Sequence, residues 1–308
     1  MKILVCGGSG FLGSHVADYL VDAGHEVTIF DLKKSPFLRK EQSLMIGDIL
    51  DERAVEKAIK GCDVVYNFAG IADMDHAKKF PVETVKHNIV GNTIILDACV
   101  RNSVKRFVFA STIYVYSNRG SFYRSSKQAC ELIIENYNQI HGLDYTILRY
   151  GSLYGPRADV NNGINMMLRQ AIADEKIVRH GDGEEIREYI HVFDAARCSV
   201  EILSKKYINQ YVIIAGNQQM KVKDLLIMIK EIMGNNIEIC YKPVDDESCS
   251  YDPSIHYEIT PYVFNPKLAK RIVSSHYIDL GQGILELLKD IHREHTLKGL
   301  ETTNLDIK

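Results

Sequence analysis

The chain lacks several features that mark whole classes of protein. It has no apolar run close to the roughly 18 residues that a membrane-spanning helix needs, and no stretch of low complexity. Lys and Arg number 37 against 40 Asp and Glu, which leaves a net charge of −3. No overall positive field therefore exists to attract a nucleic acid or an anionic membrane. We expect a folded globular protein that has neither as a partner.

The seven cysteines are too scattered to form a disulfide framework or a zinc site. Their number is odd and no two of them are spaced as C-x-x-C, so we expect no metal. Cys6, Cys99 and Cys130 lie among apolar residues and are expected to be free thiols in the core. The apolar start of the chain runs directly into glycines rather than into a cleavage site, which argues against a signal peptide. These features predict a cytoplasmic protein.

The first half of the chain alternates β-rich runs with segments of helical period. Helices are expected at 11–22, 52–60, 82–101 and 123–141, and strands at 2–6, 25–30, 43–46, 63–67, 105–110 and 145–149. Regular alternation of this kind is typical of an α/β fold with a doubly wound parallel sheet covered by helices on both faces.

After residue 150 this rhythm breaks, and a second, smaller unit is expected. At roughly 150 residues per domain, 308 residues predict about two domains. We assign 1–150 to the first domain, with segments near 187–215 returning to it. An interleaved C-terminal domain for substrate binding would comprise 151–186 and 216–300, followed by a flexible polar tail at 301–308.

A glycine-rich segment lies between the first predicted strand and the first predicted helix. Residues 7–13 read GGSGFLG, which satisfies G-x-x-G-x-x-G and, from Gly8, G-x-G-x-x-G. Such a pattern is weak alone, but here the missing side chains let the backbone approach a pyrophosphate at a helix N-terminus. The segment therefore predicts a Rossmann-type dinucleotide site. Its candidate contacts are Gly7, Gly10, Phe11, Leu12 and Gly13.

Asp31 ends the second strand, 18 residues after Gly13. A carboxylate there can accept hydrogen bonds from the adenosine ribose, whereas a 2′-phosphate would meet a like charge. The sequence thus favours NAD over NADP, although Lys33 and Lys34 lie close by.

Two further segments follow strand ends where the cofactor should pass. Asp48 and Ile49 follow the third strand, and Phe68 and Ala69 follow the fourth. Asp48 is a candidate for the adenine amino group, and it is also a candidate cap of the helix that begins near Asp51. We predict cofactor contacts at all four positions.

Tyr123 and Lys127 are spaced to share one helix face after the fifth strand. To act as a base, a phenol must lower its pKa from about 10 to about 7, a change worth about 4 kcal/mol. An ammonium about 4 Å away supplies energy of that order at an effective dielectric constant near 20, before the cost of desolvation. The alternative is a surface tyrosine and lysine on an amphipathic helix. Ser111 and Thr112 end the fifth strand, where one hydroxyl is expected to contact a substrate oxygen or merely to cap the strand.

These motifs occur in an order that resembles the extended short-chain dehydrogenase/reductases, in particular their nucleotide-sugar epimerase/dehydratase family. The likeness includes the glycine fingerprint, Asp31 and the Tyr123/Lys127 pair, and it extends over about residues 1–200. It also includes the segments 148–156 (LRYGSLYGP) and 187–194 (REYIHVFD).

The resemblance implies a role for each matched residue. Thr112 would be the catalytic hydroxyl, Tyr123 the base, and Lys127 its partner and a ligand of the nicotinamide ribose. Arg187 is similar to the arginine that grips the substrate's diphosphate, which suits a guanidinium. The implied activity is NAD-dependent oxidation of a secondary alcohol, at C4, of a nucleoside-diphosphate sugar. The enzyme would be a 4-epimerase or a 4-dehydrogenase, and a homodimer through the helices at 82–101 and 123–141.

Three departures from the family pattern bear on the substrate. Ile113 and Tyr114 stand where dehydratases and decarboxylases carry acidic residues, which disfavours loss of water. Ser152 replaces an asparagine expected to contact substrate. Tyr123 follows Thr112 by only 11 positions, fewer than is usual, so the sugar pocket should be unusually shaped. A 4,6-dehydratase, a keto-sugar reductase and a catalytically silent NAD-sensing protein remain as alternatives.

Overall fold

The computed structural model of the chain describes residues 1–117, 119–217, 219–243, 268–273 and 276–303, with side chains through Glu294. The strands in chain order are β1 (Lys2–Cys6), β2 (Glu26–Asp31), β3 (Gln42–Ile46), β4 (Val64–Asn67), β5 (Arg106–Thr112), β6 (Asp144–Tyr150), β7 (Ser152–Tyr154), β8 (Lys176–His180), β9 (Ile186–His191), β10 (Gln210–Ile214), β11 (Gln219–Lys221), β12 (Glu238–Lys242) and β13 (Lys270–Arg271). The helices are α1 (Phe11–Asp22), α2 (Glu52–Ile59), α3 (Met74–Lys79), α4 (Pro81–Val85), α5 (Gly91–Arg101), α6 (Ser121–His141), α7 (Gly163–Asp174), α8 (Val192–Glu201), α9 (Val222–Ile232) and α10 (Leu280–Thr303).

The main sheet has eight strands in the order β13-β10-β6-β5-β4-β1-β2-β3, and every described neighbour pair is parallel. Its central strands are apolar on both sides, because both faces are covered: in β1 every residue after Lys2 is buried. The strand order reverses between β1 and β4, which opens a crevice at the carboxyl ends of the strands. The predicted doubly wound α/β fold is confirmed.

Two apolar cores lie on opposite faces of this sheet. On one face Val16 and Leu20 of α1 pack with Ala195 of α8 against the strands. The opposite face is covered by α2, α5 and α6, through side chains such as Leu96 and Ile134. The sheet is therefore sandwiched between helical layers, as helices with one apolar stripe require.

The remaining elements build a smaller unit at the carboxyl edge of the sheet. A three-stranded sheet has the order β11-β9-β7, and β12 pairs with β8. A third apolar cluster joins α7, α9 and α10, with Leu168, Leu226 and Ile284 all fully buried. Of the segment 187–215, β10 lies in the main sheet and α8 packs on α1, whereas β9 lies in the small sheet. The division into two domains stays a prediction.

Several expected elements differ in extent. The helix predicted at 82–101 is interrupted by a π-helical turn, Lys86–Val90, between α4 and α5. Helix α10 runs to Thr303, so the tail predicted at 301–308 begins inside a helix, and 304–308 lie outside the described residues. Among the described helices, none is long and apolar enough to cross a membrane. The same residues contain no cluster of three or more His, Cys, Asp or Glu suited to a metal ion.

Candidate active site

The glycine segment forms a tight turn between β1 and α1. Gly7 has φ +78°, and a Cβ there would lie 2.6 Å from the Ala69 backbone nitrogen. A Cβ on Gly13 would lie 2.2 Å from the Gly7 carbonyl oxygen. Only glycine fits at either position. The N-cap of α1 is Gly10, which has no side chain to cap the first turn, and Phe11 and Leu12 follow it half-buried. This cradle fits the pyrophosphate of a dinucleotide.

Asp31 faces the glycine segment from the end of β2. Its Oδ2 accepts a hydrogen bond from the Ser9 backbone N–H at 3.0 Å, and its Oδ1 accepts one from the Lys33 N–H at 3.3 Å. The Ser9 hydroxyl donates to the Lys33 carbonyl oxygen at 2.8 Å. These contacts hold the carboxylate beside the predicted pyrophosphate site. Contact between this carboxylate and the adenosine ribose hydroxyls stays a prediction.

Asp48 does not cap a helix. Its carboxylate accepts from the Leu50 N–H at 2.9 Å and closes a short turn, while Asp51 caps α2 through the Arg53 and Ala54 amides. The alternative of a helix cap at Asp48 is therefore wrong, and its cofactor role stays a prediction.

The other predicted cofactor contacts at strand ends are Ile49, Phe68 and Ala69, and their surroundings differ. The Ile49 side chain is buried in the core, 7% exposed, so any contact with a cofactor must come from its backbone. Phe68 stacks on Tyr66 with ring centres 5.9 Å apart. The Ala69 N–H donates to the Asn67 side chain at 3.1 Å, which fixes the turn under Gly7. Cofactor contacts at all three positions stay predictions.

The three predicted catalytic residues converge at the carboxyl end of β5. The Thr112 hydroxyl lies close enough to the Tyr123 phenol to lower its pKa. The Lys127 ammonium donates to the Ala110 carbonyl oxygen at 2.8 Å and lies 5.8 Å from the centre of the Tyr123 ring. It also lies 4.7 Å from the centre of the Phe109 ring. The helix α6 thus brings phenol and ammonium to one face, beside the crevice in which a dinucleotide would lie.

Burial disfavours the charged form of both titrating groups. It raises the pKa of Tyr123 to about 12, against the opposing effect of the Thr112 hydroxyl. Burial also lowers the pKa of Lys127 to about 8, against the opposing charges of Cys130 and Glu131. The Coulomb estimate for the ammonium leaves out the cost of desolvation, and burial is the largest effect on the pKa of the phenol. The catalytic role of the Tyr123/Lys127 pair stays a prediction.

Ser111 faces away from Thr112, since successive residues of a strand point to opposite sides. Its hydroxyl donates to Glu131 at 2.6 Å, and the residue is only 3% exposed. Glu131 in turn meets Arg149, which also donates to the Tyr116 hydroxyl at 2.6 Å. This buried network favours a structural role for Ser111 and leaves Thr112 as the hydroxyl beside the base.

Asn88 is a further site residue that the sequence reasoning missed. It lies in the π-helical turn, where its amide donates to the Ile71 carbonyl oxygen and to the Ser126 hydroxyl, each at 2.9 Å. Ser126 donates to the Tyr123 carbonyl oxygen at 2.7 Å. Asn88 therefore supports the first turn of α6. No sequence pattern marks a π turn.

Two of the predicted substrate contacts, Arg187 and Ser152, lie on the small three-stranded sheet. Arg187 of β9 donates to the Tyr114 hydroxyl oxygen at 2.5 Å, across the cleft from β5. Ser152 begins β7 opposite Tyr189 of β9, half-buried. Both residues border the cleft from the side of the smaller unit, and their contacts with substrate stay predictions.

Known proteins are similar to this chain in sequence and in fold. The profile of the NAD dependent epimerase/dehydratase family matches residues 3–214. A dTDP-glucose 4,6-dehydratase of Actinoplanes sp. is 31% identical over 226 residues, which cover 64% of this chain and 71% of the dehydratase. A UDP-N-acetyl-alpha-D-glucosaminuronate decarboxylase of Bacillus cytotoxicus is 27% identical over 270 residues, covering 79% of this chain and 84% of that protein.

The fold agrees over nearly the whole chain. The crystal structure of UDP-glucose 4-epimerase from Thermotoga maritima, solved with UDP-glucose, has a TM-score of 0.82 at 26% identity and covers 96% of this chain and 99% of its own. The family resemblance inferred from the motifs is confirmed. The predictions that the protein is an enzyme and that its cofactor is NAD are also confirmed. The chain belongs to the NAD-dependent epimerase/dehydratase family.

Proposed function

We propose that this enzyme is a nucleotide-sugar 4-epimerase, which oxidises the C4 hydroxyl of a nucleoside-diphosphate sugar and returns hydride to the opposite face. The observation that carries the proposal is that Thr112, Tyr123 and Lys127 lie together at the same edge of the sheet as the glycine segment 7–13. The likeness to the Thermotoga maritima epimerase, which was solved with UDP-glucose, supports this substrate class.

Each side chain has a defined task in this reaction. Tyr123 removes the proton of the sugar hydroxyl, and the neighbouring Thr112 hydroxyl orients that oxygen. Burial raises the pKa of Tyr123, so loss of its proton requires positive charge near the phenol. When bound, NAD would supply such a charge on its nicotinamide and would accept the hydride. Arg187 would hold the diphosphate bidentately.

The residues after Thr112 argue against a dehydratase. Ile113 is apolar and buried, and the Tyr114 hydroxyl is engaged by Arg187. Neither residue offers the carboxylate that would assist loss of water. A 4-dehydrogenase that releases the ketone is the second candidate, because we expect the short connection between Thr112 and Tyr123 to alter the shape or openness of the sugar pocket.

The experiment is to incubate the purified protein with NAD and a panel of nucleoside-diphosphate sugars. We expect interconversion of C4 epimers without net absorbance of reduced nicotinamide. Tyr123→Phe should lose activity by roughly a hundredfold or more while binding NAD normally. Tyr66→Phe is the matched control, because its buried hydroxyl donates to the Ser199 carbonyl away from the site.

Three other outcomes would each replace the proposal. Stoichiometric reduced nicotinamide with a released ketone would identify a dehydrogenase. Loss of a water mass from the sugar would identify a dehydratase. Tight NAD binding without turnover of any sugar would identify a sensing protein.

We also infer a homodimer. Helices α4 and α5 and the π-helical turn between them pack against α6. Helix α4, the π-helical turn and α6 expose apolar side chains that a solvated surface would not favour. These side chains are Val82, Val85, Val90, Phe122, Leu132 and Ile140. A two-fold pairing of this face would bury them in a four-helix arrangement. We place the enzyme in the cytoplasm, whose reducing conditions suit the free thiols of its described cysteines.

A further inference from the structure

A second tyrosine lies directly beside the candidate catalytic residues. Tyr114 is in the 3-10 turn that follows Thr112, and its backbone N–H donates to the Thr112 hydroxyl oxygen at 3.2 Å. It is 8% exposed. Its ring is so close to Gly120 that a Cβ there would lie 3.1 Å from the ring. The turn and the start of α6 therefore fix where the Tyr114 hydroxyl lies.

Arg187 reaches this hydroxyl from the opposite side of the cleft. It lies on β9, where it pairs with Met220 of β11. The guanidinium donates to the Tyr114 oxygen at 2.5 Å, although the two residues are 73 positions apart. This contact joins the carboxyl end of the main sheet to the small sheet.

A phenol is a suitable partner for an arginine that must also bind phosphate. A guanidinium has five N–H donors, so it can bind a phenol and a phosphate at the same time. A carboxylate in the place of the phenol would cancel the positive charge, whereas a neutral phenol orients the group and leaves the charge in place. Holding the long side chain in one rotamer also lowers the entropy lost when a ligand binds.

We propose that Tyr114 is a positioning residue that holds the Arg187 guanidinium ready for the diphosphate of the substrate and links that contact to Thr112. This inference rests on the proposed function, since it assumes a nucleoside-diphosphate substrate. It assigns a use to a residue that stands where the family's dehydratases carry an acid.

The test compares the binding of UDP with UMP, and of dTDP with dTMP, by calorimetry. The diphosphate should bind the parent protein more tightly than the monophosphate. Tyr114→Phe should reduce that preference roughly tenfold, the size expected for one hydrogen bond to a charged group. The KM for the nucleotide sugar should rise by a similar factor while kcat, the NAD affinity and the melting temperature stay close to those of the parent.

Two further variants show whether the effect passes through Arg187. Arg187→Lys keeps the charge but loses the parallel N–H donors of the guanidinium, so it should reduce the same preference. Adding Tyr114→Phe to this variant should then have little further effect. Tyr66→Phe should leave the preference unchanged. Should Tyr114→Phe not fold, Tyr114→His is measured in the same way, and a diphosphate preference below that of the parent is expected.

The outcomes separate this inference from the proposed function. A parent protein that binds none of the four nucleotides and turns over no nucleotide sugar would overturn both. A parent that binds diphosphates, with a Tyr114 variant that shows the same preference, would overturn the role of Tyr114 alone. Additive losses in the double variant would do the same, because they would show that the two residues act independently.

Discussion

Arg149 and Glu131 form a buried ion pair with two parallel hydrogen bonds directly beneath the candidate catalytic residues. The Arg149 Nε donates to one carboxylate oxygen at 3.0 Å, and a terminal nitrogen donates to the other at 2.6 Å. Arg149 is fully buried, and Glu131 lies one helical turn beyond Lys127. The carboxylate opposes the effect of burial on the Lys127 pKa. The pair therefore joins α6 to β6 and supports the charge of the lysine.

Removing one partner should destabilise the fold strongly. Glu131→Gln leaves the Arg149 charge buried without its carboxylate, a change that typically costs about 3–5 kcal/mol. Glu56→Gln is the matched control, because its pair with Arg101 is largely exposed and should contribute about 0–1 kcal/mol. Urea denaturation of both variants measures the difference. Equal losses would show that the buried pair has no special contribution.

Asp31 should control the choice between NAD and NADP. In Asp31→Ser the ribose hydroxyls lose a charged acceptor, and the 2′-phosphate no longer meets a like charge. NAD should bind roughly tenfold or more weakly, while NADP should gain relative to it. The dissociation constants of both dinucleotides measure the change. Asp22→Asn, which disturbs only an exposed pair with Arg39, should alter neither dissociation constant. An unchanged NAD preference in Asp31→Ser would show that the Asp31 carboxylate does not bind the ribose.

His191 should make the stability depend on pH in the acid range. Its Nδ1 accepts from the Phe193 N–H at 3.3 Å, and its ring is 1% exposed. Burial, with a smaller contribution from the charge of His15, lowers its pKa from 6.5 to about 4. Between these values the unfolded chain binds a proton that the folded chain does not, so stability is fully present above pH 6.5 and is lost as the pH falls towards 4.

The loss assigned to His191 should approach about 3 kcal/mol at pH 4, from the size of the pKa change. Melting temperatures measured between pH 7 and pH 4 should therefore fall less steeply in His191→Asn than in the parent. His141→Asn, at an exposed position, should keep the slope of the parent. If the melting temperatures of the parent and of His191→Asn fall in parallel with pH, the buried imidazole is protonated without loss of folding stability.

The sequence predicts the first half of the fold well because local periodicity and burial agree there. The helix expected at 11–22 has those bounds in the structure, and the parallel sheet expected from regular alternation is present. Short strands are less visible. Strand β13 has two residues, and β8 and β12 pair across more than sixty positions, so neither length nor alternation marks them. The π turn at 86–90 also lacks any pattern of its own.

The site divides in the same way. The spacing of Tyr123 and Lys127 is enough to bring them to one helix face, and the glycines mark the cofactor cradle. Contacts made by the tertiary fold are not visible in the sequence: Arg187 meets a phenol 73 positions away. The spacing also predicts attraction between the ammonium and the phenol, but the burial that raises the pKa of Tyr123 is set by the tertiary fold and is not visible in the sequence.

The exposed apolar face of α6 should be the dimer interface. Leu132 is 64% exposed near the middle of the helix, and Leu132→Glu would place a charge within the paired surface, where burial without a partner is costly. We expect this variant to sediment as a monomer at micromolar concentration while the parent sediments as a dimer. Ile227→Glu is the matched control, since Ile227 is 50% exposed on α9, away from this face. A parent that is monomeric at that concentration, or a Leu132→Glu variant that remains dimeric, would exclude this face as the interface.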